Sequence, residues 1–299
     1  MAKIRKSIEW LVTGGNGQLG LIATDYLIEN GVNHISFGSK SLDITNLDQV
    51  ESIFKAYQPS VILNAAAWTN VDEAENHPVE CFRVNAEGVF NLARIAREIG
   101  STLIHISSDY VFSGDNRVPY EVGESMNPIS YYGQSKVKGE NYVREVYPEK
   151  SYILRTSWLY SKYGNNFAKT ILRKSNMEDP SIMVVDDQKG SPTSCVDLVE
   201  RIYEMVSVEV PYGTYHAANS GETSRYDYAS MIYLLNGKDT KKIKPIATVK
   251  SANMAHRPSN SVLGQECWKE TPLPAMQSWV TALERNFPSL VKSVSENEK

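Results

Sequence analysis

A tyrosine and a lysine four residues apart are the side chains in this sequence whose types and spacing best fit acid–base chemistry. Tyr132 and Lys136 belong to the run Tyr-Gly-Gln-Ser-Lys, and residues four apart on a helix lie on the same face. A free phenol has a pKa of about 10, and a neighbouring ammonium group favours its ionised form. The pair therefore predicts proton exchange at Tyr132 near neutral pH. Tyr131 is the competing tyrosine, but the residue four positions after it is Ser135, which carries no charge.

Two serines follow a short apolar run that has the composition of a buried strand. The run covers residues 102–107 and ends in Ser107, with Ser108 directly after it. In a doubly wound sheet the carboxyl ends of the strands line the ligand crevice, where a serine hydroxyl can hydrogen-bond a substrate carbonyl. Either Ser107 or Ser108 fits this role by composition, and a structural cap is the other interpretation.

A glycine-rich turn near the start of the chain predicts a dinucleotide site. Gly14, Gly17 and Gly20 stand between an apolar run, residues 8–13, and the first helical pattern. Glycines at such a turn allow close approach of a pyrophosphate, which binds the N–H groups at the helix N-terminus. An ordinary strand-to-helix turn would also use glycine, but the position at the head of a strand–helix–strand unit favours the dinucleotide. An oxidised nicotinamide would add a positive charge that favours the phenolate of Tyr132.

The loop after the second strand-like run indicates which dinucleotide is bound. An acidic residue there would bind the 2′-hydroxyl of NAD, but residues 37–40 read Phe-Gly-Ser-Lys and carry no carboxylate. Ser39 and Lys40 are suited to a 2′-phosphate, so we expect NADPH, with NADH as the alternative. Lys40 as an ordinary solvated lysine is the competing interpretation. Asp43 is a candidate contact for the adenine edge, unless it only marks the start of a helix.

Short apolar runs alternate with helical patterns over the first half of the chain. Such alternation implies a parallel sheet covered on both faces. We therefore predict an α/β fold, a doubly wound parallel sheet of the Rossmann type, with a smaller C-terminal α/β substrate domain. The expected division is a cofactor domain over residues 1–155 and a second domain over 156–299, with segments near 181–207 returning to the first. Residues 182–185 are the candidate sixth strand.

Composition and charge exclude several classes of protein. Among 299 residues, Lys and Arg number 31 and Asp and Glu 35, for a formal net charge of −4, whereas a binder of nucleic acid polymers usually carries a basic excess. No apolar run approaches the roughly 20 residues that span a bilayer, and the N-terminal residues lack the apolar core of a secretory signal. Three isolated cysteines offer no metal-binding spacing. We expect a cytoplasmic protein with no metal, no membrane partner and no nucleic acid polymer as partner.

Several blocks of residues occur in the order in which they stand in a known superfamily. The glycine turn, Asn64-Ala-Ala-Ala, Asn85-Ala-Glu-Gly, the serine after the fourth strand and the Tyr/Lys spacing resemble the extended short-chain dehydrogenase/reductases. Within that superfamily, further stretches are similar to the dTDP-4-dehydrorhamnose reductase family. These stretches are residues 17–20, 64–75, 107–112, 132–140, 155–160, 164–167, 187–193 and 257–261. The resemblance covers nearly the whole chain.

This resemblance implies NADPH-dependent reduction of the C4 keto group of dTDP-4-dehydro-L-rhamnose, the last step of dTDP-L-rhamnose synthesis. The implied catalytic residues are Ser108, Tyr132 and Lys136. The glycine turn and the loop after the second strand-like run already predict Gly14, Ser39 and Lys40 as cofactor contacts. The resemblance adds Gly17, Gln18, Leu19, Asp43, Ile44, Ala66, Ala67, Thr69, Tyr132 and Lys136.

The resemblance also implies a set of contacts with a small nucleotide-sugar substrate. These residues are Ser108, Asp109, Trp158, Asn166, Gln188 and Arg257. The guanidinium of Arg257 is suited to pair with a diphosphate at two points, although a surface ion pair is the other interpretation. Trp158 would be a platform for the sugar, with a core tryptophan as the competing interpretation.

One departure from the family bears on assembly. Some members dimerise through magnesium held by glutamates, one of them just after the glycine turn. Residues 20–23 here are Gly-Leu-Ile-Ala and carry no carboxylate. We therefore expect no bridging metal, and both a monomer and a homodimer stay open.

Other functions fit the same residues. A reductase of another nucleotide-linked 4-keto-6-deoxy sugar would use the same catalytic residues, since specificity lies in the substrate contacts, and a 4-epimerase would use them with retained cofactor. A non-catalytic regulatory subunit, resembling that of methionine adenosyltransferase, would bind a partner enzyme instead. The intact set of Ser108, Tyr132 and Lys136 favours an enzyme.

Overall fold

The computed structural model describes residues 9–249 and 254–296, which form two compact units. Unit 1 comprises the described residues up to Ser108, Ser130–Leu154 and Pro211–Tyr215. Unit 2 comprises Asp109–Ile129, Arg155–Val210 and the described residues from His216 onward.

The division of the chain differs from the expected one in two places, and unit 2 is not the smaller of the two units. Residues 181–207, expected to return to the first domain, lie in unit 2, and the segment that rejoins unit 1 is Pro211–Tyr215. Unit 2 also takes in Asp109–Ile129, which a boundary at residue 155 would put in the first domain.

The strands and helices have the following bounds. The strands are β1 Trp10–Thr13, β2 His34–Phe37, β3 Val61–Asn64, β4 Thr102–Ser108, β5 Ser151–Thr156, β6 Leu159–Tyr160, β7 Ile182–Val185, β8 Lys189–Gly190, β9 Thr193–Ser194, β10 Gly213–His216, β11 Thr223–Ser224 and β12 Ile243–Ile246. The α-helices are α1 Gln18–Glu29, α2 Leu47–Tyr57, α3 Val71–Asn76, α4 Pro78–Phe82, α5 Gly88–Ile99, α6 Tyr131–Val146, α7 Phe167–Ser175, α8 Cys195–Ser207, α9 Arg225–Leu235 and α10 Trp279–Glu296. A π-helical turn, Arg83–Glu87, joins α4 to α5, and a 3₁₀ turn, Asp109–Val111, follows β4.

The central sheet has the strand order β2-β1-β3-β4-β5-β10. β1 pairs in parallel with β2 and β3, and β3 pairs in parallel with β4. Every residue of β1 and β3 is buried, because helices cover both faces of such a sheet, and this explains their continuous apolar sequences. The predicted doubly wound α/β fold is confirmed.

The candidate sixth strand does not belong to this sheet. Ile182–Val185 forms strand β7, but β7 pairs with β12 in a separate two-stranded parallel sheet of unit 2. The sixth place in the central sheet is taken by β10, Gly213–His216. A four-residue apolar strand can pair with any open edge, so its sequence alone does not choose the sheet.

Three polar side chains fix the strand ends of unit 1 where the glycine turn begins. The register aligns Thr13 with Asn64, and Asn64 with His105. Thr13 Oγ1 donates a hydrogen bond to Asn64 Oδ1 at 2.7 Å, and Asn64 Nδ2 lies 3.1 Å from His105 Nδ1. All three side chains are buried, so these mutual hydrogen bonds offset the cost of removing them from water. They tie the carboxyl ends of β1 and β3 to the middle of β4.

Unit 2 has its own apolar core and three two-stranded sheets. The core packs α7, α9 and α10 through residues that include Leu172, Tyr228, Ile232 and Leu283. The sheets pair β6 with β9, β7 with β12, and β8 with β11. Within residues 9–249 and 254–296, no helix is long and apolar enough to cross a membrane. In the same ranges, no three or more His, Cys, Asp or Glu side chains are grouped to hold a metal ion.

Candidate active site

Helix α6 carries the predicted tyrosine–lysine pair. The helix begins after Ser130, whose Oγ accepts a hydrogen bond from Gly133 N at 3.1 Å and so caps the first turn. Tyr132 is half-buried in that turn, and Lys136, one turn later, is 2% exposed. The competing Tyr131 is 42% exposed. Of the two tyrosines, Tyr132 is therefore the one that shares the face of the buried lysine.

The ammonium group of Lys136 is held in a buried polar environment. Its Nζ donates a hydrogen bond to the Ile106 carbonyl of β4 at 2.6 Å. Burial lowers the pKa of Lys136 to about 8, because removal from water disfavours the charged form, and nearby Glu140 and Cys81 act in the opposite direction. Lys136 is therefore charged at neutral pH and titrates just above it.

The two serines at the end of β4 have different surroundings. Ser107 Oγ donates a hydrogen bond to Glu140 Oε1 at 2.5 Å, so its hydroxyl proton is used by a buried carboxylate. Ser108 is the last residue of β4 and is 6% exposed. Of the two serines, Ser108 is therefore the one suited to contact a substrate carbonyl.

The glycines of the turn lie so close to other backbone atoms that side chains would clash. Gly14 has a φ of +66°, and a Cβ there would lie 2.6 Å from the carbonyl carbon of Ala65. Gly20 lies so close to the Gly14 carbonyl oxygen that a side chain would clash. Gly17 is the N-cap of α1, and no described side chain caps that helix or places an acidic group in its first turn. A helix N-terminus of this kind suits a pyrophosphate, so these residues fit a dinucleotide cofactor.

The predicted ribose and adenine contacts lie in the loop between β2 and α2. Ser39 and Lys40 are exposed in a turn directly after β2. Asp43 Oδ1 accepts hydrogen bonds from the backbone N and the Oγ1 of Thr45 at 2.9 and 2.8 Å. The N-cap of α2 is Asn46, so the interpretation of Asp43 as the helix-start residue is wrong.

The remaining predicted cofactor residues lie in α1 and in the loops after β2 and β3. Gln18 and Leu19 open helix α1. Ile44 is buried, and Gly88 lies against its side chain so closely that a Cβ would clash. The other three follow β3: Ala66 and Ala67 are half-buried and Thr69 is exposed.

Asn85 connects the loop after β3 with helix α6. Its Oδ1 accepts a hydrogen bond from Trp68 N at 2.9 Å, and its Nδ2 donates to the Trp68 carbonyl at 3.1 Å and to Ser135 Oγ at 3.0 Å. Ser135 Oγ in turn donates to the Tyr132 carbonyl at 2.7 Å. Asn85 lies in the π-helical turn, a local irregularity that is frequent at functional sites. One amide thus positions both the loop of predicted cofactor contacts and the first turn of α6.

Trp158 of unit 2 has a strained backbone and a covered ring. Its φ is +46°, a left-handed conformation that is unusual for a bulky residue. The guanidinium carbon of Arg225 lies 3.5 Å from the centre of its indole ring, and a Cβ on Gly190 would lie 2.5 Å from its Cε2. Burial lowers the pKa of Arg225, while Tyr110 and Asp109 raise it. The indole is therefore a rigid plate with Arg225 against one face, rather than a platform open on both sides.

The other predicted substrate residues of unit 2 have the following places. Asn166 caps α7 by accepting a hydrogen bond from Lys169 N at 2.9 Å. Gln188 is 9% exposed, and its Nε2 donates to Thr248 Oγ1 at 2.9 Å. Arg257 donates from Nη1 to the Ala255 carbonyl at 3.3 Å. Asp109 is buried at the start of the 3₁₀ turn.

Comparison with known proteins identifies the family. Residues 8–291 match the family model described as RmlD substrate binding domain. The chain belongs to this family. A dTDP-4-dehydrorhamnose reductase of Streptomyces griseus is 39% identical over 285 residues, which cover 94% of this chain and 93% of that protein. A dTDP-4-keto-6-deoxy-D-glucose reductase of Streptomyces niveus is 36% identical, over 94% and 97%. The crystal structure of a dTDP-4-dehydrorhamnose reductase from Bacillus anthracis in complex with NADP is similar, with a TM-score of 0.90, 37% identity, and 94% and 99% coverage.

Two residues of this RmlD-family chain were not assigned roles from the sequence. Asn85 belongs to a motif that carries the resemblance, but its hydrogen bonds to Trp68 and Ser135 depend on the π-helical turn. Arg225 is the first residue of α9, where a cation opposes the helix dipole. That unfavourable placement is the signal in the sequence that Arg225 has another partner, but it does not indicate Trp158.

Proposed function

We propose that this chain is an NADPH-dependent reductase that converts the C4 keto group of dTDP-4-dehydro-L-rhamnose to a hydroxyl, the last step of dTDP-L-rhamnose synthesis. The observation that carries the proposal is the buried, charged Lys136 one turn from Tyr132 on α6. The Streptomyces griseus relative supports the substrate. The Bacillus anthracis structure with NADP supports the cofactor.

The catalytic steps follow from the side chains of unit 1. NADPH supplies a hydride when bound. Tyr132 donates its phenolic proton to the oxygen of the sugar carbonyl as negative charge develops there, and the ammonium of Lys136 stabilises the phenolate that results. Ser108 donates a hydrogen bond to the same oxygen, and this bond strengthens as the charge grows. Asn85 acts through Ser135 to hold the first turn of α6 in place.

Cofactor binding is assigned to the glycine turn and the loops after β2 and β3. The N-terminus of α1 at Gly17 holds the pyrophosphate through backbone N–H groups. Ser39 and Lys40 hold the 2′-phosphate, and Asp43 contacts the adenine edge. Gly14, Gln18, Leu19, Ile44, Ala66, Ala67 and Thr69 complete the set of cofactor contacts.

Within unit 1, Ser108 is the proposed contact with the sugar nucleotide. Within unit 2, five residues are proposed contacts. The unit 2 residues are Asp109, Trp158, Asn166, Gln188 and Arg257. Arg257 pairs with the diphosphate, because a guanidinium binds such oxygens at two points. Asn166 and Gln188 also have a structural role, because each makes a hydrogen bond within unit 2.

A second candidate is reduction of a different dTDP-linked 4-keto-6-deoxy sugar. The Streptomyces niveus relative, named for dTDP-4-keto-6-deoxy-D-glucose, favours it at an identity close to that of the first relative. The catalytic residues would act in the same way.

We propose a monomer or homodimer in the cytoplasm. Three thiols outside any disulfide in the described chain support that compartment.

The test is oxidation of reduced cofactor in the presence of keto sugars. Purified protein is mixed with NADPH or NADH and with dTDP-4-dehydro-L-rhamnose, its UDP counterpart, or dTDP-4-keto-6-deoxy-D-glucose. The expected result is steady oxidation of NADPH with dTDP-4-dehydro-L-rhamnose as the best substrate. Faster turnover of the glucose-derived sugar would select the second candidate. No oxidation in any combination would refute a reductase and favour a non-catalytic role.

A further inference from the structure

Helix α6 carries three charged residues at four-residue intervals that begin with the catalytic lysine. They are Lys136, Glu140 and Arg144, and residues spaced in this way lie on one face of a helix. Glu140 is fully buried, whereas the side chain of Arg144 is 36% exposed. The middle charge is therefore a carboxylate with no access to water, directly beside a catalytic group.

Both oxygens of that carboxylate are used. Oε1 accepts a hydrogen bond from Ser107 Oγ at 2.5 Å, and Oε2 lies 2.6 Å from Nη2 of Arg144. Arg144 is itself placed by a contact with Thr214 Oγ1 at 3.3 Å. A buried carboxylate that is paired with a guanidinium and accepts a hydrogen bond stays ionised. Glu140 is therefore a fixed negative charge inside unit 1.

Two hydrogen bonds from α6 reach successive residues of β4. Lys136 Nζ donates to the carbonyl of Ile106, and Glu140 accepts from the side chain of Ser107. The next residue along the strand is Ser108, the serine proposed to contact the substrate. The pair of bonds sets the depth at which Ser108 lies relative to the helix that carries Tyr132.

We propose that Glu140 is a positioning residue for the reduction. Its carboxylate holds Ser107, and through it Ser108, against helix α6, and it supplies the negative charge that keeps Lys136 an ammonium. This inference rests on the proposed function, because it concerns the same catalytic residues.

The other groups around Lys136 do not supply such a charge. On β4, His105 is fully buried, and burial first, then Lys136, hold its pKa well below its usual range, so it is neutral. On α4, burial raises the pKa of the Cys81 thiol, so it is a thiol at neutral pH. On α6, Arg144 is a cation. Among the described groups that interact with Lys136, Glu140 is the one that is anionic at neutral pH, and without it the pKa of Lys136 falls further below its ordinary value.

The sign of the pH effect follows from this. The proposed chemistry needs Lys136 protonated, so kcat falls as the pH rises through the pKa of that lysine, which is about 8. Loss of a neighbouring negative charge moves such a pKa down by about one unit or more. The alkaline limb of the kcat profile then moves to lower pH, while kcat at acidic pH is retained.

Three variants separate charge from position, each measured as kcat and KM against pH with saturating NADPH. Glu140→Gln keeps the shape and the acceptor for Ser107 but removes the charge. We expect its alkaline limb to move down by about one pH unit, with kcat about tenfold lower at pH 9 and close to the wild-type value at pH 6. Glu140→Asp keeps the charge but shortens the reach to Ser107. Its kcat should therefore fall several-fold at every pH, while the alkaline limb stays at the wild-type pH.

Arg144→Gln is the matched control on the same helix face. It removes a cation but keeps the carboxylate of Glu140, which still accepts the hydrogen bond from Ser107, so the alkaline limb should not move to lower pH as it does in Glu140→Gln. A merely structural role for this cluster predicts instead that both glutamine variants lose kcat equally at every pH. Equal losses, or an unshifted limb in Glu140→Gln, would overturn the charge role. Wild-type kcat in Glu140→Asp would overturn the positioning role.

Folding and the proposed function are checked separately. Melting temperature and far-ultraviolet circular dichroism show whether each variant folds. If Glu140→Gln does not fold, Glu140→Asp still tests the positioning role. Arg144→Gln still tests the charge role, because an alkaline limb that moves to lower pH in this variant would contradict it. If the wild type does not oxidise NADPH in the presence of any of the keto sugars, the proposed function fails. If it oxidises NADPH with one of them and the alkaline limb of Glu140→Gln does not move, only this inference fails.

Discussion

The catalytic assignment depends on a difference between two adjacent tyrosines. Tyr131 is 42% exposed, while Tyr132 is half-buried one turn before a lysine that is 2% exposed. Proximity to a buried ammonium makes a phenol a better proton donor and its phenolate a more stable product. The sequence predicts this difference only through the spacing to Lys136, and the structure adds the burial that makes the charge effective.

We expect Tyr132→Phe to lower kcat by roughly 10²–10⁴-fold, the usual contribution of a positioned acid–base group. The ring is kept, so the KM values for NADPH and sugar nucleotide and the melting temperature should change little. Tyr131→Phe is the matched control and should keep near-wild-type kcat. Near-native turnover in Tyr132→Phe would remove this residue from the mechanism, whatever the control does.

At the scale of secondary-structure elements, the sequence predicted best where one segment determines its own environment. Strands β1, β3 and β4 are apolar runs that only a sheet covered on both faces can bury, and α6 follows from the spacing of its residues. The sixth strand of the sheet was not predicted. β10 has the sequence Gly-Thr-Tyr-His, which has little apolar character. It is also distant in sequence from the rest of unit 1, which ends at Leu154. The same limit applies to Arg225 and Trp158, which are brought together only by the fold of unit 2.

Alanine variants of two glycines test whether the turn before α1 needs glycine for its backbone conformation or for cofactor binding. Gly14 and Gly31 have nearly equal φ values, +66° and +67°, but a Cβ at Gly14 would meet Ala65 at 2.6 Å, whereas one at Gly31 meets nothing within 4 Å. Gly31→Ala should therefore cost only the strain of a left-handed residue, about 1–3 kcal/mol of unfolding free energy. Gly14→Ala should cost more and also weaken NADPH binding at least tenfold.

Urea denaturation gives the unfolding free energies of both glycine variants, and fluorescence titration gives their NADPH affinities. Gly31 lies at the far end of α1, so its variant should bind NADPH as the wild type does. Equal NADPH affinities in Gly14→Ala and the wild type would contradict the assignment of this turn to the pyrophosphate. Equal stability losses in the two variants would show that the contact with Ala65 is relieved at no cost.

At the scale of the whole molecule, the net charge of −4 has to be reconciled with two anionic ligands. A protein of this charge does not attract a dinucleotide or a sugar diphosphate by its overall field. The attraction has to come from local groups, and we propose the N-terminus of α1 and Lys40 in unit 1 and Arg257 in unit 2. The excess of acidic residues argues against a nucleic acid polymer as partner, but it leaves nucleotides as ligands.

Local attraction makes a prediction that global attraction does not. Lys40→Ala removes one exposed cation beside the proposed 2′-phosphate site, so the KM for NADPH should rise about tenfold while the KM for NADH, which lacks that phosphate, stays nearly constant. Lys238→Ala changes the net charge equally at an exposed site in unit 2 and should leave both values unchanged. Because Lys40 is exposed, the NADPH preference should also weaken as salt is added. Equal changes in both KM values, or the same effect from Lys238→Ala, would assign the cofactor preference to overall charge rather than to Lys40.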